Sequence, residues 1–244
     1  MIKQILKTLV PRSWIERRNR RLAAGIDRQF KAKTPAEIFE AVYRRRIWGG
    51  SEAQDFYSGE GSNDPGVVGP YVEAVAEFLS SLPRPPRVVD LGCGDFNVGS
   101  QLRSYCSEYV ACDIVQSLIE RNRVKFSELD VDFRVLDIAS DPLPNGDVVF
   151  IRQVLQHMSN AQIQALLPKL RPFRWAVITE HTSSDPGFVP NVDKPPGPGI
   201  RVPHGSGVVL GAPPFNLVAR SEREICVVHC PIGTIRTLVY QLGD

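Results

Sequence analysis

The chain has 244 residues, 43% of them hydrophobic and 23% charged, which suits one large α/β unit with appendages and argues against global disorder. A formal net charge of +2 gives no electrostatic ground for a nucleic-acid partner, and no apolar run reaches the roughly 18 residues that span a bilayer. The five cysteines (Cys93, Cys106, Cys112, Cys226 and Cys230) form no CxxC pair, so they read as reduced thiols of a cytoplasmic protein without a signal peptide.

In chain order, residues 1–30 come first. Ile2, Ile5, Leu6, Leu9 and Val10 recur at helical spacing, followed by Trp14, Ile15, Arg17, Arg18, Arg20 and Arg21. A basic amphipathic helix of this kind suits two places. One is peripheral contact with the inner face of the membrane; the other is docking on its own domain or on a second copy in a homodimer.

Residues 31–85 read as a helical cap. Thr34 as N-cap, Pro35 at the first helical position and Glu37 closing a capping box open a helix whose apolar face is Ile38, Phe39, Val42 and Tyr43. A loop through Tyr57–Gly66 follows. A second amphipathic helix is expected over Pro70–Leu82, ended by Pro83, Pro85 and Pro86.

From residue 86 the pattern alternates. Short apolar runs at Arg87–Leu91, Tyr109–Ile114, Asp132–Leu136, Asp147–Ile151 and Trp175–Thr179 predict buried strands. Helical patterns at Val98–Cys106, Val115–Leu129 and Asn160–Leu170 separate them, which implies right-handed crossovers and a parallel sheet. The last runs, Glu224–His229 and Ile235–Gln241, are joined by Cys230–Thr234 and predict an antiparallel hairpin. Residues 181–221, rich in Pro and Gly, leave from the strand edge where open α/β sheets bind ligands. They read as a substrate-side loop or lid, with a plain surface loop as the alternative.

The chemistry begins at Asp90-Leu91-Gly92-Cys93-Gly94. Glycines spaced by one let the backbone turn sharply and let a ligand come close, and the next helix N-terminus offers free N–H groups to a carboxylate or phosphate. About 20 residues on, Asp113 ends the second run, the place of a carboxylate that accepts from ribose hydroxyls. Asp137 ends the third, followed by Ile138, a pair suited to an adenine amino group and ring face. Three acids at three successive strand ends converge on one rim.

Residues 87–157 resemble the S-adenosylmethionine (SAM) binding half of class I methyltransferases. More narrowly, Ile47-Trp48-Gly49, Ser58-Gly59-Glu60-Gly61-Ser62, Gly92-Cys93-Gly94-Asp95-Phe96-Asn97, Asp113-Ile114-Val115 and His157-Met158-Ser159 are similar to a bacterial family that accompanies polysaccharide and glycolipid biosynthesis. The resemblance implies a Rossmann-like fold with a seven-stranded, mostly parallel sheet, a C-terminal antiparallel hairpin and extra N-terminal helices. Residues 86–244 would be the methyltransferase domain. It also implies SAM as cofactor, a saccharide or glycan as partner, and methyl transfer to a sugar hydroxyl. Ser58, Gly59, Ser62, Asp90, Gly92, Gly94, Asn97, Asp113, Ile114, Asp137, Ile138 and Arg152 then form the cofactor set. Phe96 stands where the commonest class I loop has a third glycine, which disfavours a NAD site and agrees with the narrower family.

His157, just after the fourth strand, is the candidate general base, with a structural role as its alternative. Glu180 and His181 are expected to leave the fifth strand into the Pro/Gly segment, as base, as acceptor-binding groups or as ligands of a divalent cation such as Mg. Two other classes of function stay open: methylation of another small polar molecule or of protein, and a non-catalytic SAM-binding module.

Overall fold

The computed structural model describes residues 25, 30, 32–51 and 55–243; the basic N-terminal segment and its membrane or dimer contacts lie outside them. Helix α1 spans Pro35–Arg44. Thr34 caps it in the expected box, its side chain accepting from Glu37 N while Glu37 Oε2 accepts from Thr34 N at 2.8 Å. A one-turn helix α2 (Glu60–Asn63) follows, then α3 (Pro65–Ser80). Helix α3 begins five residues before the expected Pro70. Asp64 supplies the cap, accepting from Gly66 N at 2.8 Å, and Pro65 takes the first helical position. Pro70 therefore sits inside the helix, where it cannot donate to the carbonyl four residues back.

The strands are β1 (Arg87–Leu91), β2 (Glu108–Asp113), β3 (Asp132–Val135), β4 (Val148–Arg152), β5 (Trp175–Thr182), β6 (Ser221–Cys230) and β7 (Gly233–Gln241). They form one sheet in the order β3-β2-β1-β4-β5-β7-β6. The pairs among β1 to β5 are parallel, and β7 runs antiparallel to both β5 and β6. Between the strands lie α4 (Gly99–Leu102), α5 (Gln116–Lys125) and α6 (Asn160–Leu170). The first two are shorter than their sequence patterns, each giving way to a turn of 3-10 helix, at Arg103–Tyr105 and Ser127–Leu129.

Alternate strand residues face opposite layers, as a doubly covered sheet requires. Val88, Val148, Phe150 and Val177 pack on Tyr71, Val75, Phe78 and Leu79 of α3. Val89, Leu91, Val149, Ile151 and Ile178 pack on Ile163, Leu166 and Leu170 of α6.

The Pro/Gly segment joins that second layer through Val208, Leu210 and Phe215, so it is a packed part of the core. Two buried polar residues fix it in place of regular structure. Asn191 Nδ2 donates to the carbonyls of Val209 and Pro213, each at 2.9 Å, and its Oδ1 accepts from Val209 N at 2.8 Å. Arg201, 1% exposed, donates to the carbonyls of Val192, Leu155 and Met158.

Strand β5 runs three residues past its expected end because β7 keeps pairing with it as far as Thr182 opposite Thr234. Glu180 and His181 are therefore strand residues within the sheet, not the first residues of a loop. Among the described residues no helix is long and apolar enough to cross a membrane.

Candidate active site

Chain order reverses between β1 and β4, so the connections leaving their C-terminal ends diverge and open a crevice, the usual ligand site of an open α/β sheet. A cavity occupies it. Asp90, Gly92, Gly94 and Asp95 line it from the end of β1, Asp113 and Ile114 from β2, Asp137 and Ile138 from beyond β3, and Arg152 and Gln153 from β4. Tyr43, Trp48, Ser58 and Ser62 line it from the N-terminal side, and His157 and Pro196 from the far end.

The β1 loop needs its glycines for space and for backbone shape. Gly92 and Gly94 have φ of +83° and +55°. A Cβ on Gly92 would lie 2.4 Å from Val154, and one on Gly94 would lie 2.7 Å from Ser58 Oγ. Asp113, which lines the cavity, braces the turn: Oδ2 accepts from Gly94 N at 3.1 Å and Oδ1 from Val115 N at 3.0 Å, and each oxygen keeps further acceptor capacity.

Burial pushes the Asp113 carboxyl up to about 6, with backbone N–H groups partly offsetting it. Burial likewise pushes Asp90 up to about 7, against the hydrogen bond from Tyr109 Oη at 3.0 Å and with the Asp113 charge adding to the rise. Among the described residues, four acids (Asp90, Asp95, Asp113 and Asp137) and one guanidinium, Arg152, thus line the cavity. That guanidinium is already engaged, donating to Gly61 O at 2.6 Å and Ser62 Oγ at 3.3 Å and stacking over the Tyr71 ring. The surplus of acids favours a cationic ligand that also carries hydroxyl and amino groups.

Phe96 replaces the third glycine of the common loop at φ +60° and is fully buried. Its ring packs edge-on against Tyr109, Phe126 and Phe133. The close helix–strand approach is made instead at Gly99, where a Cβ would lie 2.4 Å from the Phe96 ring.

Asp95, which the motif reading passes over, ties the N-terminal segment to this loop. Its Oδ2 accepts from Ser58 N at 3.1 Å and Asn63 Nδ2 at 3.4 Å, while its own N–H donates to Ser58 Oγ at 2.9 Å. Ser58 Oγ also meets Tyr43 Oη at 3.0 Å. The acid's place directly after Gly92-Cys93-Gly94 was the available signal.

At the other end, a 3-10 turn at Leu155–His157 carries two cavity residues, Gln156 and His157. His157 Nδ1 lies 3.2 Å from Gly197 O. A carbonyl only accepts, so Nδ1 carries the hydrogen and Nε2 keeps a lone pair. Burial, aided by the Lys194 charge, pushes His157 down to about 3. Its ring packs against Trp48 and Phe39, and Trp48 Nε1 donates to Pro198 O at 3.3 Å, closing the N-terminal side onto the Pro/Gly segment.

Of the residues singled out in sequence, Ser58, Ser62, Asp90, Gly92, Gly94, Asp113, Ile114, Asp137, Ile138, Arg152 and His157 line this one cavity. Gly59 and Asn97 stand behind it: Gly59 O accepts from Asn63 Nδ2, and Asn97 bonds Asn63 and the Asp95 carboxylate. Glu180 and His181 are not brought to it. Both Glu180 oxygens accept backbone N–H groups of the 155–157 turn, and burial pushes its carboxyl up to about 8. His181 packs beside the hairpin turn, where a Cβ on Gly233 would lie 2.9 Å from its Nε2. Among the described residues no cluster of three or more His, Cys, Asp or Glu side chains is arranged to hold a metal ion, so the expected divalent-cation ligands do not assemble.

Residues 88–173 match the family model of a methyltransferase domain. No curated protein sequence is significantly similar. Among solved structures, the fold is similar to magnesium protoporphyrin IX methyltransferase from Synechocystis PCC 6803 with bound SAM (17% identity, 86% of this chain and 97% of that one, TM-score 0.54). It is similar to the N-methyltransferase NodS of Bradyrhizobium japonicum WM9 with S-adenosyl-L-homocysteine (SAH; 10% identity, 83% and 99%, TM-score 0.60). Human N-acetylserotonin methyltransferase with SAM is a third (17% identity, 87% and 61%, TM-score 0.54).

The sheet order and the terminal hairpin are those of the Rossmann-like methyltransferase fold, and residues 88–173 within it match a methyltransferase domain. The named neighbours differ in acceptor, so the shared fold does not choose one for this chain.

Proposed function

We propose that this protein moves the methyl group of SAM to a hydroxyl of a sugar or glycan. SAM is a cation with sulfonium and ammonium charges and a ribose diol, and the acid-rich end of the cavity fits it: Asp113 for the ribose hydroxyls, Asp137 with Ile138 for adenine, and the Gly92–Gly94 turn for the methionine end. When bound, SAM supplies a methyl group already activated for displacement. The protein then has to hold the acceptor in line and keep water out.

The observation that carries the sugar reading is the composition of the wall around His157. The aromatic rings of Phe39 and Trp48 meet His157 there, beside the neutral side chains of Gln153 and Gln156. Aromatic faces suit the apolar face of a sugar ring, and neutral amides suit its hydroxyls. The segments resembling the glycan-associated family, around Trp48, Ser58 and His157, all border this cavity.

In this reading residues 31–85 cap the cavity, residues 86–244 are the catalytic domain, and the 181–221 segment borders the acceptor. His157 Nε2 accepts a hydrogen bond from the reacting hydroxyl, and its low proton affinity gives it the task of orienting that hydroxyl before that of storing its proton. Incubation with methyl-labelled SAM and a panel of mono- and oligosaccharides should give a sugar product heavier by one methylene unit. Label appearing only on amines or on protein, or tight NAD binding without SAM binding, overturns it.

A further inference from the structure

Three residues that line the cavity each have one buried side-chain atom with no hydrogen-bond partner among the described residues: Arg152 Nε, Gln153 Nε2 and Gln156 Oε1. Gln156 is only 4% exposed. Its amide orientation is set by its other end, where Nε2 donates to Gln153 O at 3.2 Å and faces His157 Nε2 at 3.5 Å. Gln153 sits in the left-handed region at φ +56°, and its N–H donates to Thr179 O at 2.7 Å. Its amide fills space that only a glycine at position 61 leaves open, since a Cβ there would lie 2.4 Å from it. A buried amide left unpaired is costly, and a residue held in the left-handed region is a feature that ligand sites show.

The cofactor's polar groups are accounted for elsewhere in the proposed arrangement, at the ends of β1, β2 and β3. Both glutamines follow the end of β4: Gln156 neighbours His157, and the Gln153 amide lies against Gly61.

We propose that Gln153 and Gln156 form a hydroxyl-recognising subsite that selects an uncharged, hydroxylated acceptor. A hydroxyl can accept from Gln153 Nε2 and donate to Gln156 Oε1. A carboxylate cannot donate to Oε1, and an ammonium cannot accept from Nε2. A donor–acceptor pair of this kind discriminates more sharply than an apolar wall, because an analogue without the hydroxyl leaves both amides unpaired. The inference rests on the sugar reading above and deepens it by naming the groups that read the acceptor.

The test uses the full chain saturated with SAH and labelled at its glutamine side-chain amides, with Q153L and Q156L providing the assignments and Q153E and Q156E standing in should the leucine variants not fold. Neutral mono- and disaccharides are titrated in, with tetrahydropyran as a ring of the same size without hydroxyls. The Gln153 and Gln156 amide resonances should move with the sugars and stay in place with tetrahydropyran. Each leucine variant should weaken sugar binding about fivefold while leaving SAH affinity within about twofold.

The subsite is overturned if SAH alone accounts for the movement of both amides, or if no neutral sugar moves them. If the amides respond but label from SAM is found on an amine, the subsite stands and the hydroxyl-transfer reading falls. If a sugar hydroxyl is methylated while both amides are silent, the reverse holds.

Discussion

Glu180 and Arg201 hold the same turn from opposite polarities. Glu180 accepts the N–H groups of Leu155 and Gln156 at 2.9 and 3.0 Å, and Arg201 donates to the carbonyls of Leu155 and Met158 at 2.9 and 2.7 Å. Arg201 comes from the Pro/Gly segment and Glu180 from β5, so the turn that presents Gln156 and His157 is fixed jointly by the sheet and by that segment. Removing either partner leaves buried backbone groups unpaired. R201M should lower stability by about 3 kcal/mol in denaturant unfolding, a loss that a surface arginine would not show.

Glu180 also predicts a pH dependence. Its carboxyl is pushed up from 4.5 to about 8, so the folded state favours the protonated form. A raised folded-state value contributes stability that is fully present below the unfolded value and is lost as pH rises through the folded one. Thermal unfolding followed between about pH 5 and pH 8 should therefore show a downward trend with pH that is shallower in E180Q. An identical trend in the variant would mean that Glu180 does not titrate in this window.

Asp113 carries two tasks that separate by substitution. D113A removes the acceptor proposed for the ribose hydroxyls together with the brace on Gly94 N and Val115 N. It should weaken SAM binding by about 1.5–3 kcal/mol in calorimetry and also lower the melting temperature. D113N keeps one carbonyl oxygen and most of the packing, so its affinity should fall less. Equal SAM affinity in all three proteins would remove Asp113 from the cofactor site.

Much of this arrangement was legible in sequence because it depends on local rules. The Thr34–Glu37 capping box, the strand runs and the hairpin around Pro231-Ile232 follow from propensity and spacing. The strand-end acids Asp90, Asp113 and Asp137 fall on one rim because parallel strands all end on the same side. What was not legible depends on tertiary partners. No pattern marks Glu180 as an anchor, since β5 passes its expected end only through pairing with β7. Gln153 and Gln156 carry no signal in sequence; their unpaired atoms exist only once Gly61 and the 155–157 turn are in place. Arg201 and Asn191 lie in a stretch whose composition suggests a loose loop, and a few long-range hydrogen bonds override that composition.

Phe96 tests whether the departure from the common glycine loop is structural. Restoring glycine relieves a positive φ but empties a site in contact with three aromatic rings. Truncation of a buried phenylalanine costs about 3–5 kcal/mol, and relief of one left-handed residue returns about 1 kcal/mol, so F96G should be destabilised on balance. G99A should also be destabilised, because its methyl meets the Phe96 ring at 2.4 Å. If F96G proved as stable as the parent in denaturant unfolding, the ring would not be the packing element assigned to it.

His157 gives a sharper prediction about rate than about binding. Its ring is neutral down to about pH 3 and offers Nε2 as an acceptor, with Nδ1 held by Gly197 O. A depressed folded-state value means that the neutral form persists through the physiological range, so kcat should show no inflection from this residue between about pH 5 and pH 8. H157A should lower kcat by about 10²-fold with SAH affinity nearly intact, whereas H157Q, which keeps a hydrogen-bond acceptor, should recover part of the loss. A fall in rate as pH drops through 6.5 that vanishes in H157Q would assign the histidine as a titrating base. Unchanged kcat in H157A would confine it to joining Trp48 and the 195–199 segment over the cavity.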